Sequence, residues 1–158
     1  MDPEILTTAI GIGLIVSLLF SELFGLAAGG LVVPGYIALF WREPTAIVIT
    51  LGVALATHAI VQLIGSGIIL FGKRRTVLVI LVAYLLRLAI DLSLGDYLAG
   101  HPIFSDTGVV IIGYIIPGLI AIWFDRQGIL ETVSTLIAAS VVVRVVIILI
   151  FGNAIVSL

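Results

Sequence analysis

Two stretches of this chain carry one pattern, and it is a pattern that an apolar helix cannot hold without cost. The first reads Gly25-Leu-Ala-Ala-Gly29-Gly30-Leu-Val-Val-Pro34-Gly35-Tyr-Ile-Ala38-Leu-Phe40, and the second reads Gly108-Val-Val-Ile-Ile-Gly113-Tyr-Ile-Ile-Pro117-Gly118-Leu-Ile-Ala121-Ile-Trp123. Both fit G-x4-G-x3-P-G-x2-A, each position of the second lying 83 residues after its counterpart in the first (Gly25 to Gly108, Pro34 to Pro117). Each copy is apolar enough to enter a bilayer, yet each sets Pro-Gly in its middle, where a helix loses a backbone hydrogen bond and tends to break. Matched interruptions in two halves of a membrane protein point toward a working site.

That the surroundings are lipid follows from composition. Of the 158 residues, 62% are hydrophobic and 10% charged, with a mean hydropathy of +1.41, whereas soluble chains carry about a quarter charged residues. The expectation is an all-α integral membrane protein forming one multi-pass domain over residues 1–158, with repeat halves at about 1–75 and 76–158. No stretch is polar enough for a separate soluble domain, so nucleotide-binding or catalytic machinery would come from another chain. Cysteine is absent, which removes disulfides, thiolate metal sites and cysteine nucleophiles. The start, Met1-Asp-Pro-Glu4, lacks the basic region of a cleavable signal, so the first apolar run is expected to stay as a membrane helix.

Apolar runs fall at Ile5 to Phe20, Gly25 to Trp41, Thr45 to Phe71, Thr76 to Leu94, Gly108 to Phe124 and Ile129 to Phe151. Roughly 20 residues of helix cross the hydrocarbon, so the third, fourth and sixth runs span comfortably and the others are marginal. None shows the alternation of a membrane β-barrel. Lys73-Arg74-Arg75 is the basic cluster, and such a turn between long apolar runs belongs on the cytoplasmic side. If each Pro-Gly segment crosses as a broken helix, Lys73, Arg74, Arg75 and Arg126 lie inside and Arg42 outside. If the segments are re-entrant hairpins, Arg126 moves outside and the bias weakens. Charge therefore favours crossing, and three crossings per half make the two copies an inverted repeat.

Proline fits the first turn of a helix, where its missing N–H is no loss, so Pro34 and Pro117 are expected to start the second half of each broken helix, with bare N–H groups that attract anions. Gly29, Gly30 and Gly113 would let the chain bend or a helix approach, although kinking and small-residue packing are also ordinary features of membrane helices. Arg87 lies about 18 Å along a helix from Arg75 at 1.5 Å per residue, near the bilayer midplane, with Asp91 at i+4 on the same face. Buried charges must pair or line a wet cavity. Arg144 has Ser140 and Ile148 at i−4 and i+4, so its partner must come from another helix, a ligand or water, or it must reach an interface. His58, Gln62 and Ser66 form a polar stripe of the kind that ties helices together. Metal ligation is not expected, and P-loop, H-E-x-x-H and G-x-S-x-G signatures are absent from the sequence. No cofactor and no nucleic-acid partner are implied, and the chain reads as a conduit, an anchor or a partner subunit.

Gly30-Leu-Val-Val-Pro-Gly-Tyr36, Gly72-Lys-Arg-Arg75, Leu86-Arg-Leu-Ala-Ile-Asp91 and Ile115-Ile-Pro-Gly-Leu-Ile-Ala121 followed by Gln127-Gly128 together resemble the PgsC/CapC family, the small membrane subunit of bacterial poly-γ-glutamate synthase. The resemblance runs from about Phe20 to about Thr132. It implies membership of a plasma-membrane complex that makes and exports poly-γ-glutamate, with a Mur-ligase-like, ATP-dependent ligase subunit and further synthase and export subunits as partners. It carries over Gly30, Pro34, Gly35, Arg87, Asp91, Pro117 and Gly118 as family-like positions.

A γ-linked glutamate chain bears one α-carboxylate per residue, so a route through lipid must offset a row of negative charge. The expectation is a polyanion path formed by Gly30, Pro34, Gly35, Arg87, Asp91, Gly113, Pro117, Gly118 and Arg144, with Lys73, Arg74 and Arg75 docking the ligase. A non-conducting scaffold and a small-anion or proton-coupled transporter are the alternatives. Six short segments enclose little volume, so a polymer path would call for several copies or partner subunits.

Overall fold

The computed structural model describes residues 3–41, 44–67, 72–98 and 107–152. They form six helices, α1 (Pro3–Phe24), α2 (Val33–Leu39), α3 (Pro44–Gly67), α4 (Lys73–Leu98), α5 (Thr107–Gln127) and α6 (Ile129–Phe151), and no strand occurs among the described residues. The loop with His101 and Asp106, Arg42, and the side chain of Asp91 fall outside the described residues.

Among the described residues, three helices are long and apolar enough to cross a membrane, over Leu6–Phe24, Ala46–Ser66 and Ile129–Phe151. Their packing suits lipid. Large side chains point outward (Leu23, Leu63, Leu130 and Leu149 are each more than 70% exposed), while Ala9, Ala54, Ala139, Ser17, Thr57 and Ser140 are fully or almost fully buried. Small residues let helices approach closely where lipid provides no hydrophobic drive between them. The buried hydroxyls are satisfied at home: Thr57 donates to the Val53 carbonyl and Ser140 to that of Leu136, each at 2.7 Å.

The chain divides into two compact units, Met1–Ile47 with Arg126–Leu158, and Val48–Asp125. In the first, α1, α2 and α6 pack on one another around Ala9, Val16, Ala28, Ala38, Ala139, Val143 and Ile147. The chain turns after α1 and returns antiparallel to it, for Ser17 meets Gly30 and the stretch Ala9 to Gly13 meets Gly35. α6 runs alongside the returning segment in the same direction, since Gln127 bonds to Ala27 and Arg144 to Ala38.

In the second unit, α5 lies antiparallel to α4. Arg75 pairs with Asp125 at 2.5 Å, Val79 clusters with Ala121 and Val61, and Gly118 sits against Ile80 and Ala83. From α3, His58 presents an edge-on ring contact to Phe124, with centroids 6.1 Å apart. The His58, Gln62 and Ser66 stripe bonds within its own helix, His58 to Gln62 at 3.2 Å and Ser66 to the Leu63 carbonyl at 2.7 Å.

Candidate functional site

The first Pro-Gly copy is mostly not helical. Gly25, Gly29 and Gly30 hold φ of 66°, 69° and 123°, left-handed values that other residues adopt at a cost, and helix resumes only at Val33. Pro34 falls in the first turn of α2, where its lack of an N–H leaves nothing unsatisfied.

An irregular backbone beside apolar helices must find partners for its polar groups, and side chains supply them. Gln127 Nε2 donates to the Ala27 carbonyl at 2.6 Å while its Oε1 accepts the Ala27 N–H at 3.0 Å, so one amide serves both main-chain groups of Ala27. Its Nε2 also reaches Thr132 Oγ1 at 3.1 Å. Ser17 Oγ, buried in α1, donates to the Gly30 carbonyl at 3.1 Å.

At the far end, α2 stops after seven residues, and its last carbonyls have no helical donor. Arg144 Nη1 donates to one of them, the Ala38 carbonyl, at 3.2 Å. A cation there also opposes the negative end of the helix dipole.

The close approach of α2 to α1 depends on two glycines facing each other. A Cβ on Gly35 would lie 2.6 Å from the Ala9 carbonyl oxygen, and one on Gly13 would lie 2.7 Å from the Gly35 Cα.

The second copy differs, and it corrects the expectation that Pro117 begins a new half-helix. α5 runs unbroken from Thr107 to Gln127 with Pro117 inside it, so no helix N-terminus opens there. The residue at i−4, whose carbonyl the proline ring crowds, is Gly113. Gly118 rests against α4, its hypothetical Cβ 3.2 Å from Ala83 Cβ and from Ile80 Cα.

For all that, the copies bury the same positions: Val33 and Ile116, Pro34 and Pro117, Gly35 and Gly118, Ile37 and Ile120, Ala38 and Ala121. The buried hydroxyls Thr57 and Ser140, each bonded to the carbonyl four residues back, also lie 83 residues apart. In each copy the proline-linked glycine packs on the helix before it at a similar depth. Gly35 meets Ala9 and faces Gly13, six and ten residues past the start of α1 at Pro3, while Gly118 meets Ile80 and Ala83, seven and ten past the start of α4 at Lys73.

Arg87 is buried in α4, 6% exposed, one turn after Ala83 and two after Val79, which meet α5. Asp91 follows one turn later on the same helix. Of the basic turn, Lys73 and Arg74 are exposed, while Arg75 is tied to Asp125.

Sequence reasoning does not single out Ser17, Gln127 or Gly13 as site residues. A lone hydroxyl in an apolar run is the available signal for Ser17. For Gln127 it is an amide, which both donates and accepts, beside the helix-starting Gly128. Gly13 has only a small-residue spacing with Ala9.

These features define the class: a protein whose described residues are helical, with helices suited to a membrane, in which side chains secure the polar backbone around the first of two Pro-Gly pairs. The chain matches the family model described as capsule biosynthesis CapC over residues 12–133, and it belongs to that family. It is 35% identical over 133 residues to the capsule biosynthesis protein CapC of Bacillus anthracis, covering 84% of this chain and 86% of the relative. It is 33% identical over 135 residues to the PGA biosynthesis protein CapC of Bacillus subtilis strain 168, with the same coverages. No solved structure matches. Arg144 lies beyond the residues the family model matches.

Proposed function

We propose that this chain is a multi-pass plasma-membrane subunit of a system that makes and exports a poly-γ-glutamate capsule or released polymer. The observation that carries the reading is family membership over most of the chain, together with relatives named for capsule and PGA biosynthesis. The three apolar helices support the location. The sequence carries no recognised catalytic motif, so polymerisation falls to a partner, a cytoplasmic ATP-dependent ligase of the Mur type, alongside other export subunits. Lys73 and Arg74 are its docking residues, with Arg75 held in register by Asp125.

The chain is built as two inverted halves. Matched burial around the two Pro-Gly pairs, the paired hydroxyls and the similar seating of Gly35 and Gly118 all support this reading. So does the composition of the units: α1 and α2 go with α6, and α4 and α5 go with α3, so each unit takes the third helix of the other half. The antiparallel return of residues 25–39 along α1 and the unbroken length of α5 support crossing over re-entry.

The polymer route runs past Gly30, Pro34, Gly35, Arg87, Asp91, Gly113, Pro117, Gly118 and Arg144, where guanidinium charge offsets the α-carboxylates. The test is polymer release from cells carrying Arg87→Gln and Arg144→Gln together, with subunit assembly followed by co-purification. Release should collapse while assembly persists. Unchanged release from an assembled complex would reject the route.

The bond from Arg144 to the Ala38 carbonyl favours a second reading, a scaffold that activates the ligase without conducting. On that reading, co-expression stimulates ligation, and the double variant affects release only as far as it weakens assembly.

A further inference from the structure

We propose that the Arg87 guanidinium donates to the main-chain carbonyl of Gly113, the acceptor that Pro117 leaves without its helical partner, and that this bond lets α5 pass unbroken through its Pro-Gly pair. Arg87 is then a positioning residue for α5, whatever the polymer.

The need comes from covalent structure. In an α-helix the carbonyl of residue 113 is served by the N–H of residue 117, and proline has none. A carbonyl left bare beside apolar helices is costly in hydrocarbon, and a neighbouring helix is one source of the donor it needs.

Two independent alignments bring Arg87 to that place. The first is the register of α4 against α5. Arg75 pairs with Asp125, Val79 clusters with Ala121, and Ile80 and Ala83 flank Gly118. Each step up α4 is matched by a step back along α5, and one more turn along the buried line of Val79, Ala83 and Arg87 sets Arg87 level with Gly113.

The second is the other Pro-Gly copy, where the equivalent bond is present. Gly30 stands four residues before Pro34 as Gly113 stands four before Pro117. The Gly30 carbonyl accepts from Ser17, which lies fourteen residues past the start of α1 at Pro3. Arg87 lies fourteen past the start of α4 at Lys73. A short hydroxyl answers one carbonyl, and a long cation answers the other.

A guanidinium has five N–H donors, so the bond to Gly113 leaves others for further acceptors. This explains why a residue so costly to bury stands level with the carbonyl four residues before a proline. Charge that would otherwise be unfavourable at depth serves an acceptor on the next helix.

The test is a double-mutant cycle on the full chain in lipid or mild detergent. Arg87→Leu should lower the unfolding midpoint. Pro117→Ala restores the N–H that Gly113 needs, so Arg87→Leu/Pro117→Ala should recover most of the loss. If the double variant is as destabilised as Arg87→Leu alone, the proposal fails.

Should Arg87→Leu not fold, the wild-type chain answers directly by solid-state NMR. Carbonyl-13C glycine with 15N tyrosine selects the Gly35–Tyr36 and Gly113–Tyr114 peptide groups. Guanidino-15N arginine should then dephase the Gly113 carbonyl, and Arg87→Lys should abolish that dephasing. A Gly113 carbonyl untouched by arginine nitrogen overturns the proposal.

Discussion

The two Pro-Gly copies begin from nearly the same words and end in different backbones. Around Pro34 the chain gives up helix for the eight residues from Gly25 to Val32 and resumes with a seven-residue helix. Around Pro117 it does not give up helix at all. The buried positions match, so the difference lies in how the main-chain groups are served and not in which side chains face inward. The first copy has Gly29 beside Gly30 and three glycines at positive φ, and its partners are spread among Ser17, Gln127 and Arg144. The second has Gly113 alone before its proline, preceded by Val109, Val110, Ile111 and Ile112, which offer no such turn. A proline therefore marks where a helix needs help, and the neighbouring residues decide whether the help keeps the helix or replaces it.

The sharpest contrast should come from the same substitution at matched glycines. Gly35→Ala drives a Cβ into the Ala9 carbonyl, which is backbone and cannot step aside, and should cost up to about 3 kcal/mol of unfolding free energy in detergent. Gly118→Ala meets the Ala83 methyl and Ile80 at a distance that asks only a small shift, and alanine gains about 1 kcal/mol of helix propensity over glycine. It should stay within about 1 kcal/mol of wild type. Equal losses at the two sites would break the comparison.

Gln127→Ala removes both partners of Ala27 and should cost about 1–3 kcal/mol for polar groups left unsatisfied. Amide exchange at Ala27 should quicken while amides in α5 near Pro117 stay slow. Uniform acceleration in both copies would mean that the first copy is not separately clamped.

Arg75→Ala should have the smallest effect, below about 1 kcal/mol, because its pair with Asp125 is partly open to water. A larger loss would show that this pair, and not the seating of Gly118, fixes α5 on α4.

The helical class is legible in the sequence. The apolar runs anticipate all the helices to within a few residues except in the first copy, where the run from Gly25 to Trp41 yields only α2. Proline chemistry anticipates Pro34 in a first turn. It fails at Pro117, because a missing N–H removes one hydrogen bond without by itself ending a helix, and α5 runs on through it. Arg144 reads as needing a partner from another helix, ligand or water, and it finds the Ala38 carbonyl. That acceptor exists only because α2 ends at Leu39, a tertiary fact. Gln127 and Ser17 escape the sequence reading for the same reason, since their partners are main-chain groups, and residue identity carries no sign of which carbonyls a fold will leave open.

The divergence of the two copies can be measured directly because the chain has no cysteine, so single cysteines can be placed one at a time at residues 26–40 and 109–123 in lipid bilayers. Spin-label accessibility should follow a helical period of about 3.6 residues through Pro117. In the first copy that period should be missing across residues 26–32 and return only after Pro34. An unbroken helical period through both copies, or a loss of period at both prolines, would contradict the divergence described here.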